Sequence, residues 1–336
     1  MNSSLVQETP TERREYFILA LADCGWLLTS RSYSIKIEAH MANLRSISLL
    51  VLAVASPVAA QSNAGMQGMP GMQPVAVSAT AAKQIDSVAR SVRPLNNTNA
   101  ASAAGFHPVF GWIPTMGTHW VDMALMAKDK QQCIGMPSNL MFSKIAGRDS
   151  LLGAAFAYFT LEGDSTPPVL FDGAPPWHEH PNLAPPGQRL VMLHVWFVPS
   201  PDGPFAGTNP NIPFWAAGLA APDSARMRDA AFSAMVRRAA LALAEVVDTT
   251  AIFANLEMRP DVHAVLAVRR DSIRALIPQF QAAEREKNQA QWERVAERAA
   301  AQWDAIYAAY DHTARTRLGK QRVDAYVAML LGHHEM

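Results

Sequence analysis

Gly187-Gln-Arg-Leu-Val-Met-Leu-His-Val-Trp-Phe-Val-Pro-Ser-Pro201 is a run of large apolar side chains closed at each end by Gly and Pro. Apolar runs bounded in this way are expected of strands joined by ordered loops, so Arg189–Val198 is predicted to be a β-strand. Leu151–Thr160 has the same form and predicts a second. Around them, residues 105–220 concentrate Trp, Phe, His, Pro and Gly, with only five Lys or Arg among them. This predicts a compact β-rich domain with long Pro/Gly connections. It is followed, over 221–336, by a C-terminal helical segment of about four helices, which makes the fold class α+β.

The helices are read from three- and four-residue spacing. Phe232, Val236, Ala239, Leu243 and Val246 form one apolar stripe, with an N-cap offered by Pro222-Asp223-Ser224. A second begins after Arg259-Pro260-Asp261 and carries Val262, Leu266, Ile273, Leu276 and Phe280. Arg269 interrupts this stripe, and Pro278 is expected to kink it. A third carries Trp292, Val295, Ala299, Trp303, Ile306 and Tyr310, and a fourth runs from about Gly319 to Leu331. Such faces must pack on one another, on the β-rich part or on a protein partner.

The first hundred residues have a different character. Met41-Ala-Asn-Leu-Arg45, the apolar run Ile47–Ala55, the helix breaker Pro57 and the small residues Val58-Ala59-Ala60 have the three-part form of a secretory signal peptide. Residues 41–60 are therefore expected to be a leader cleaved after Ala60, delivering the chain to the periplasm or outside the cell. Residues 1–40 are expected to be an upstream extension, with a long natural leader as the alternative. Residues 61–104 are rich in Ala, Ser, Gln and Asn and are expected to be a flexible linker, with a short helix around Ser78–Val92. No stretch after the leader is long and apolar enough to cross a membrane. The chain holds 29 basic and 29 acidic residues, which leaves no basic excess to neutralise phosphates and argues against a nucleic-acid partner. Of the two cysteines, Cys24 precedes the mature chain, so Cys133 has no internal disulfide partner.

Four histidines carry the candidate chemistry. His119 lies in Met116-Gly-Thr-His-Trp120, His178 and His180 in Pro176-Trp-His-Glu-His-Pro181, and His194 inside the predicted strand Arg189–Val198. Residues two apart on a strand share a face, so in an extended segment His178 and His180 reach the same side and Glu179 points away, whereas in a loop Glu179 is free to turn inward. Neutral imidazole is the commonest ligand for copper, zinc, nickel and iron, and three or four such groups complete a site. The expected set is thus His119, His178, His180 and His194, holding copper or zinc. Met66, Met69 and Met72, at every third position, and Gly332-His-His-Glu-Met336 are read first as low-complexity linker and frayed terminus; as donors, their thioethers and imidazoles point towards copper. Asp122, Glu162 and Asp172 are further candidates for acid, base or ligand, and Arg189 for an anion. No Gly-x-Ser-x-Gly elbow, phosphate-cradling Gly loop or His-Glu-x-x-His helix occurs.

In order, the chain reads Met116-Gly-Thr-His-Trp-Val121, Gly153–Phe159, Phe171-Asp-Gly173, His178-Glu-His180, Leu193-His-Val-Trp196, Pro201-Asp-Gly-Pro-Phe-Ala206 and Asn209-Pro210. This resembles a family of exported bacterial proteins whose pattern runs Met-Gly-x-His-Trp/Tyr, Phe-Asp-Gly, a His-bearing loop, His-Val-Trp, then Asn-Pro-x-Gly-x-Phe-Ala and Asn-Pro. The resemblance covers roughly 106–215 and implies a secreted β-rich domain without supplying an activity. Ser200-Pro201 stands where the family has Asn-Pro, and either His178 or His180 answers to its loop histidine. Two other functions are open to the same residues. A cupin-like metal-dependent enzyme would use the His-x-His pair with a later His, although the acid and spacing of that pattern are missing between Pro181 and His194. A structural or interaction protein would use the helices for contact and leave the four histidines apart in space.

Overall fold

The computed structural model describes residues 77–109, 111–126, 134–161, 167–175, 177–180, 184–248, 260–313 and 317–332. The leader at 41–60, the extension at 1–40, Met66, Met69, Met72, Cys133, Glu162, His333 and His334 lie outside the described residues.

The predicted strands form where the apolar runs stand. β4 spans Arg148–Leu161 and β6 spans Gln188–Trp196, paired antiparallel. β1 (His107–Pro108), β2 (Thr118–Val121), β3 (Asn139–Ile145) and β5 (His178–Glu179) complete one six-stranded antiparallel sheet. Its order is β1-β2-β3-β4-β6-β5. The described residues form a single sheet rather than the paired sheets of a cupin jelly roll.

Both faces of the central strands are covered, so Leu152 through Tyr158 is buried without interruption rather than alternating with solvent. On one face Leu140, Phe142, Ala154, Phe156, Leu193 and Val195 form a core with Val88, Val92 and Ala101. Those last residues belong to α1 (Ala79–Val92) and α2 (Thr98–Ala103). Each helix starts at a side-chain cap, Ser78 accepting from the Ala81 amide and Asn97 from the Ala100 amide. Residues 77–104 are thus not a linker. Val88, Val92 and Ala101, with Ile85, Leu95 and Ala104 packed beside them, turn their apolar side chains to the sheet.

The opposite face carries the histidines. After the sheet, α4 (Asn211–Ala216) packs Ile212 against Met141, Leu152 and Trp196, and sends Phe214 into the helical core beside Trp292 and Phe280. The helical part is α5 (Ala230–Val247), α6 (Pro260–Arg274), α7 (Ile277–Arg285), α8 (Gln289–Thr313) and α9 (Arg317–Leu330). Two boundaries differ from the sequence expectation. Asp223 caps only a short turn, accepting from the Ala225 amide, while Asp229 in extended geometry caps α5 through the Phe232 amide. The predicted kink at Pro278 is a break, because proline lacks the donor needed to continue a helix and is suited to the first turn of a new one. No helix among the described residues is long and apolar enough to cross a membrane.

Candidate metal centre on the sheet

Register alone places the histidines together. His119 on β2 stands opposite Met141, which stands opposite Gly153, which stands opposite Trp196. One pleat along, Val121, Asn139, Ala155 and His194 form the next row. On the outer strand His178 pairs with Met192, itself opposite Ala157. Opposite residues share a face, and so do residues two apart. His119, Met192, His194, Trp196, His178 and the small residues Gly153, Ala155 and Ala157 therefore lie on one side. His180, two beyond His178, joins them, and its amide donates to the Leu190 carbonyl at 2.8 Å.

β2 and β6 are three strand spacings apart, roughly 14 Å between backbones. Nevertheless the His119 and His194 Nε2 atoms are 3.4 Å apart. The rings meet above β4, where glycine and alanine leave the space that larger side chains would fill. A Cβ on Gly153 would lie 2.5 Å from the Val195 carbonyl oxygen and 2.8 Å from the Met141 methyl. Gly117, two residues before His119, is likewise required. Its φ of +77° suits glycine, and a Cβ there would collide with the Phe142 carbonyl.

The four imidazoles form a continuous chain. Ring centroids of His119 and His194 are 5.4 Å apart, those of His194 and His178 4.8 Å, and those of His178 and His180 4.8 Å. His119 and His194 are buried, while His178 and His180 are half-buried. His194 Nδ1 is 2.8 Å from the Gly207 carbonyl oxygen. A carbonyl only accepts, so Nδ1 carries the proton and Nε2 presents its lone pair. This lone pair faces His119 Nε2 and, at 3.1 Å, the thioether sulfur of Met192. His119 Nδ1 is buried and has no hydrogen-bond partner.

The electrostatics keep His119 and His194 neutral. Burial first, and then the charge of His180, bring His119 from 6.5 down to about 4. Burial also drives His194 well below the usual histidine range, followed by the influence of His178, His119 and His180, against the opposing Gly207 bond. Desolvation penalises the charged imidazolium, and neighbouring imidazoles compound it.

The loop carrying Gly207 is fixed by the remaining motif residues. Trp196 Nε1 donates to the Ala206 carbonyl at 2.6 Å, Asn209 Nδ2 to Pro199 at 3.0 Å, and the Asn209 amide to Thr115 at 2.8 Å. Other candidates are engaged elsewhere. Asp122 caps the short helix α3 (Met123–Met126) through the amides of Ala124 and Leu125. Asp172 accepts from Ser78 Oγ, its own amide donates to Gln84, and Phe171 beside it fills the core. Arg189 is ion-paired with Glu179, and both belong to the opposite face of the sheet.

Among the described residues, no group of three or more His, Cys, Asp or Glu is arranged to hold a metal ion with the rings as they stand. The close pair is His119 and His194. Sequence reasoning missed Met192 and the Gly207 carbonyl. Met192 was within reach of the period-two rule, since it precedes His194 by two positions on the same strand. The Gly207 carbonyl is a backbone group and leaves no mark in the sequence. Comparison with family models, with curated proteins and with solved structures finds no match for this chain.

Proposed function

We propose that the protein is exported and holds a transition metal ion on the histidine face of its sheet. His119 and His194 supply the first two ligands, with His178 and His180 turning in to complete the set. The observation that carries this is the 3.4 Å separation of two buried Nε2 atoms, with the proton of one ring committed to Gly207. Bonds of 2.0–2.1 Å at a tetrahedral angle hold two ligand nitrogens roughly 3.3 Å apart. An N–H···N hydrogen bond is the other account of the pair, and 3.4 Å is long for one. The Gly207 carbonyl has the role that orienting carbonyls play behind metal-bound imidazoles, fixing tautomer and ring plane.

His178 and His180 need new ring orientations. Such a change costs of order 1 kcal/mol, whereas structural zinc sites supply on the order of 10 kcal/mol. Imidazole donors suit zinc or copper. Holding an ion is favoured over metal-dependent catalysis because Asp122, Asp172 and Glu179 are each bound elsewhere, leaving none of these carboxylates to act as base. The leader-like segment at 41–60 and the resemblance to exported bacterial proteins support a periplasmic or secreted setting.

Metal analysis of the purified protein tests this, beside a His119→Gln variant and a His119→Ala/His194→Ala double variant. Near-stoichiometric copper or zinc in the parent, lost from both variants while their far-ultraviolet dichroism is retained, is the expected result. A parent that carries no metal and takes up neither ion on titration would overturn it.

A further inference from the structure

We infer that Met192 is a sulfur ligand of this centre and makes it select cuprous copper over zinc. The inference rests on the metal reading above and adds to it a donor that is not imidazole. Met192 Sδ lies 3.1 Å from His194 Nε2. It stands beside His178 across the β5–β6 pair and over Ala157, whose small side chain leaves room above it.

The local chemistry at that sulfur calls for a cation. With its proton on Nδ1 and directed to Gly207, His194 offers only a lone pair at Nε2. A thioether has no proton to donate. Two lone pairs thus face each other at 3.1 Å, and a third donor atom, His119 Nε2, stands 3.4 Å from the His194 nitrogen. Only a proton on His119 or a metal ion between the donors makes this arrangement attractive. A proton on His119 Nε2 serves the nitrogen pair but leaves the sulfur contact without a donor. An ion serves all three atoms.

Sulfur identifies the ion. Thioethers are soft and neutral, and they favour Cu(I) among biological metals, whereas imidazoles bind copper and zinc alike. A set of neutral imidazoles and a thioether carries no negative charge, which suits a monovalent soft cation better than Zn²⁺. Met192 is also buried with Val121, Met126, Ala155, Ala157 and Leu190, so packing alone is the competing account of its presence.

The test uses the full chain under anaerobic, reducing conditions. Cu(I) affinity is measured by competition with bicinchoninate and Zn(II) affinity by competition with a chromophoric chelator, in the parent and in Met192→Leu. The expected result is a fall of about tenfold or more in Cu(I) affinity with Zn(II) affinity changed by less than about threefold. X-ray absorption at the copper edge should show a sulfur neighbour in the parent. That neighbour should persist in a Met66→Leu/Met69→Leu/Met72→Leu variant, which excludes that string as its source, and in a Met126→Leu/Met141→Leu variant, which leaves Met192 even if Met192→Leu folds poorly. Metal bound with equal Cu(I) affinity in Met192→Leu, or nitrogen-only scattering in the parent, would overturn the sulfur assignment while leaving the imidazole centre standing. Failure of the parent to bind either ion would overturn both.

Discussion

Lowering the pH of the metal-free protein from 7.5 to 5 should destabilise it through His119 and His194. The sign follows from where each state takes up its proton. His119 in the folded chain is held at about 4, against 6.5 for a solvated histidine. Above pH 6.5 both states are neutral at this position and its contribution to stability is fully present. As the pH falls below that value the unfolded chain takes up a proton and the folded chain does not, so stability is lost down to about pH 4. The whole window is worth about 3 kcal/mol at 1.36 kcal/mol per unit, and the part between pH 6.5 and 5 about 2 kcal/mol. His194 is shifted in the same direction by the same burial and adds to the loss. The measurement is thermal melting by circular dichroism of chelator-treated protein at pH 7.5, 6.5, 5.5 and 5. A loss of about 2 kcal/mol lowers the midpoint of a chain this size by roughly 4–8 °C. His119→Gln cannot protonate there, so part of this dependence should disappear. A midpoint that does not move between pH 7.5 and 5, or a His119→Gln variant with the full parental slope, would refute the claim that the rings are buried and neutral.

Two further outcomes follow from the way the sheet is built. Gly117→Ala forces a Cβ into a left-handed residue facing the Phe142 carbonyl, and should cost at least about 2 kcal/mol, read as a fall in urea midpoint; an unchanged midpoint would mean that the turn before His119 is not held as described. A chain beginning at residue 105 removes the buried Val88 and Val92 from the sheet, a loss of about 3–6 kcal/mol, and should be insoluble or bind hydrophobic dye; a soluble truncated chain melting within a few degrees of the full one would restore the linker expectation for 61–104.

What the sequence revealed depended on how local the cause was. Arg189–Val198 and Leu151–Thr160 read as strands because the residues that end them are adjacent in the chain. The helices of 221–336 read from their own periodicity, and even the break at Pro278 could be anticipated as a kink. β2 went unread as a strand because it has only four residues, and β3 because its apolar part is confined to Leu140-Met-Phe142 between the polar Asn139 and Ser143. The 77–104 segment misled for a compositional reason. Alanine covers apolar surface by being small, so two helices that together bury only Ala81, Val88, Val92 and Ala101 look like a polar linker when apolar residues are counted. The four histidines could be named from their motifs, and strand parity separated Glu179 from its neighbours. Their meeting could not be read, because it depends on which strands lie beside which.

That strand order also explains why the rings are worth burying. Imidazoles drawn from β2, β5 and β6 give the sheet a polar seam between the apolar cluster around Met192 and Ala155 and the one around Trp196 and Met141. Without an ion the seam opposes folding in acid and sets the His194 lone pair against a sulfur. An ion bound only by the folded state adds RT ln(1 + [M]/Kd), about 4 kcal/mol at a thousandfold excess over Kd. This is comparable with the roughly 3 kcal/mol that burial of a neutral His119 forfeits at low pH. It would also tie together strands three positions apart in the sheet. The residues that support the seam favour this order of cause. Gly117 and Gly153 admit the close approach of the Phe142 and Val195 carbonyls, Gly207 fixes a tautomer, and Asn209 with Trp196 anchors the loop that carries Gly207. A seam that served packing alone would be filled more stably by the leucines and valines that occupy the other face.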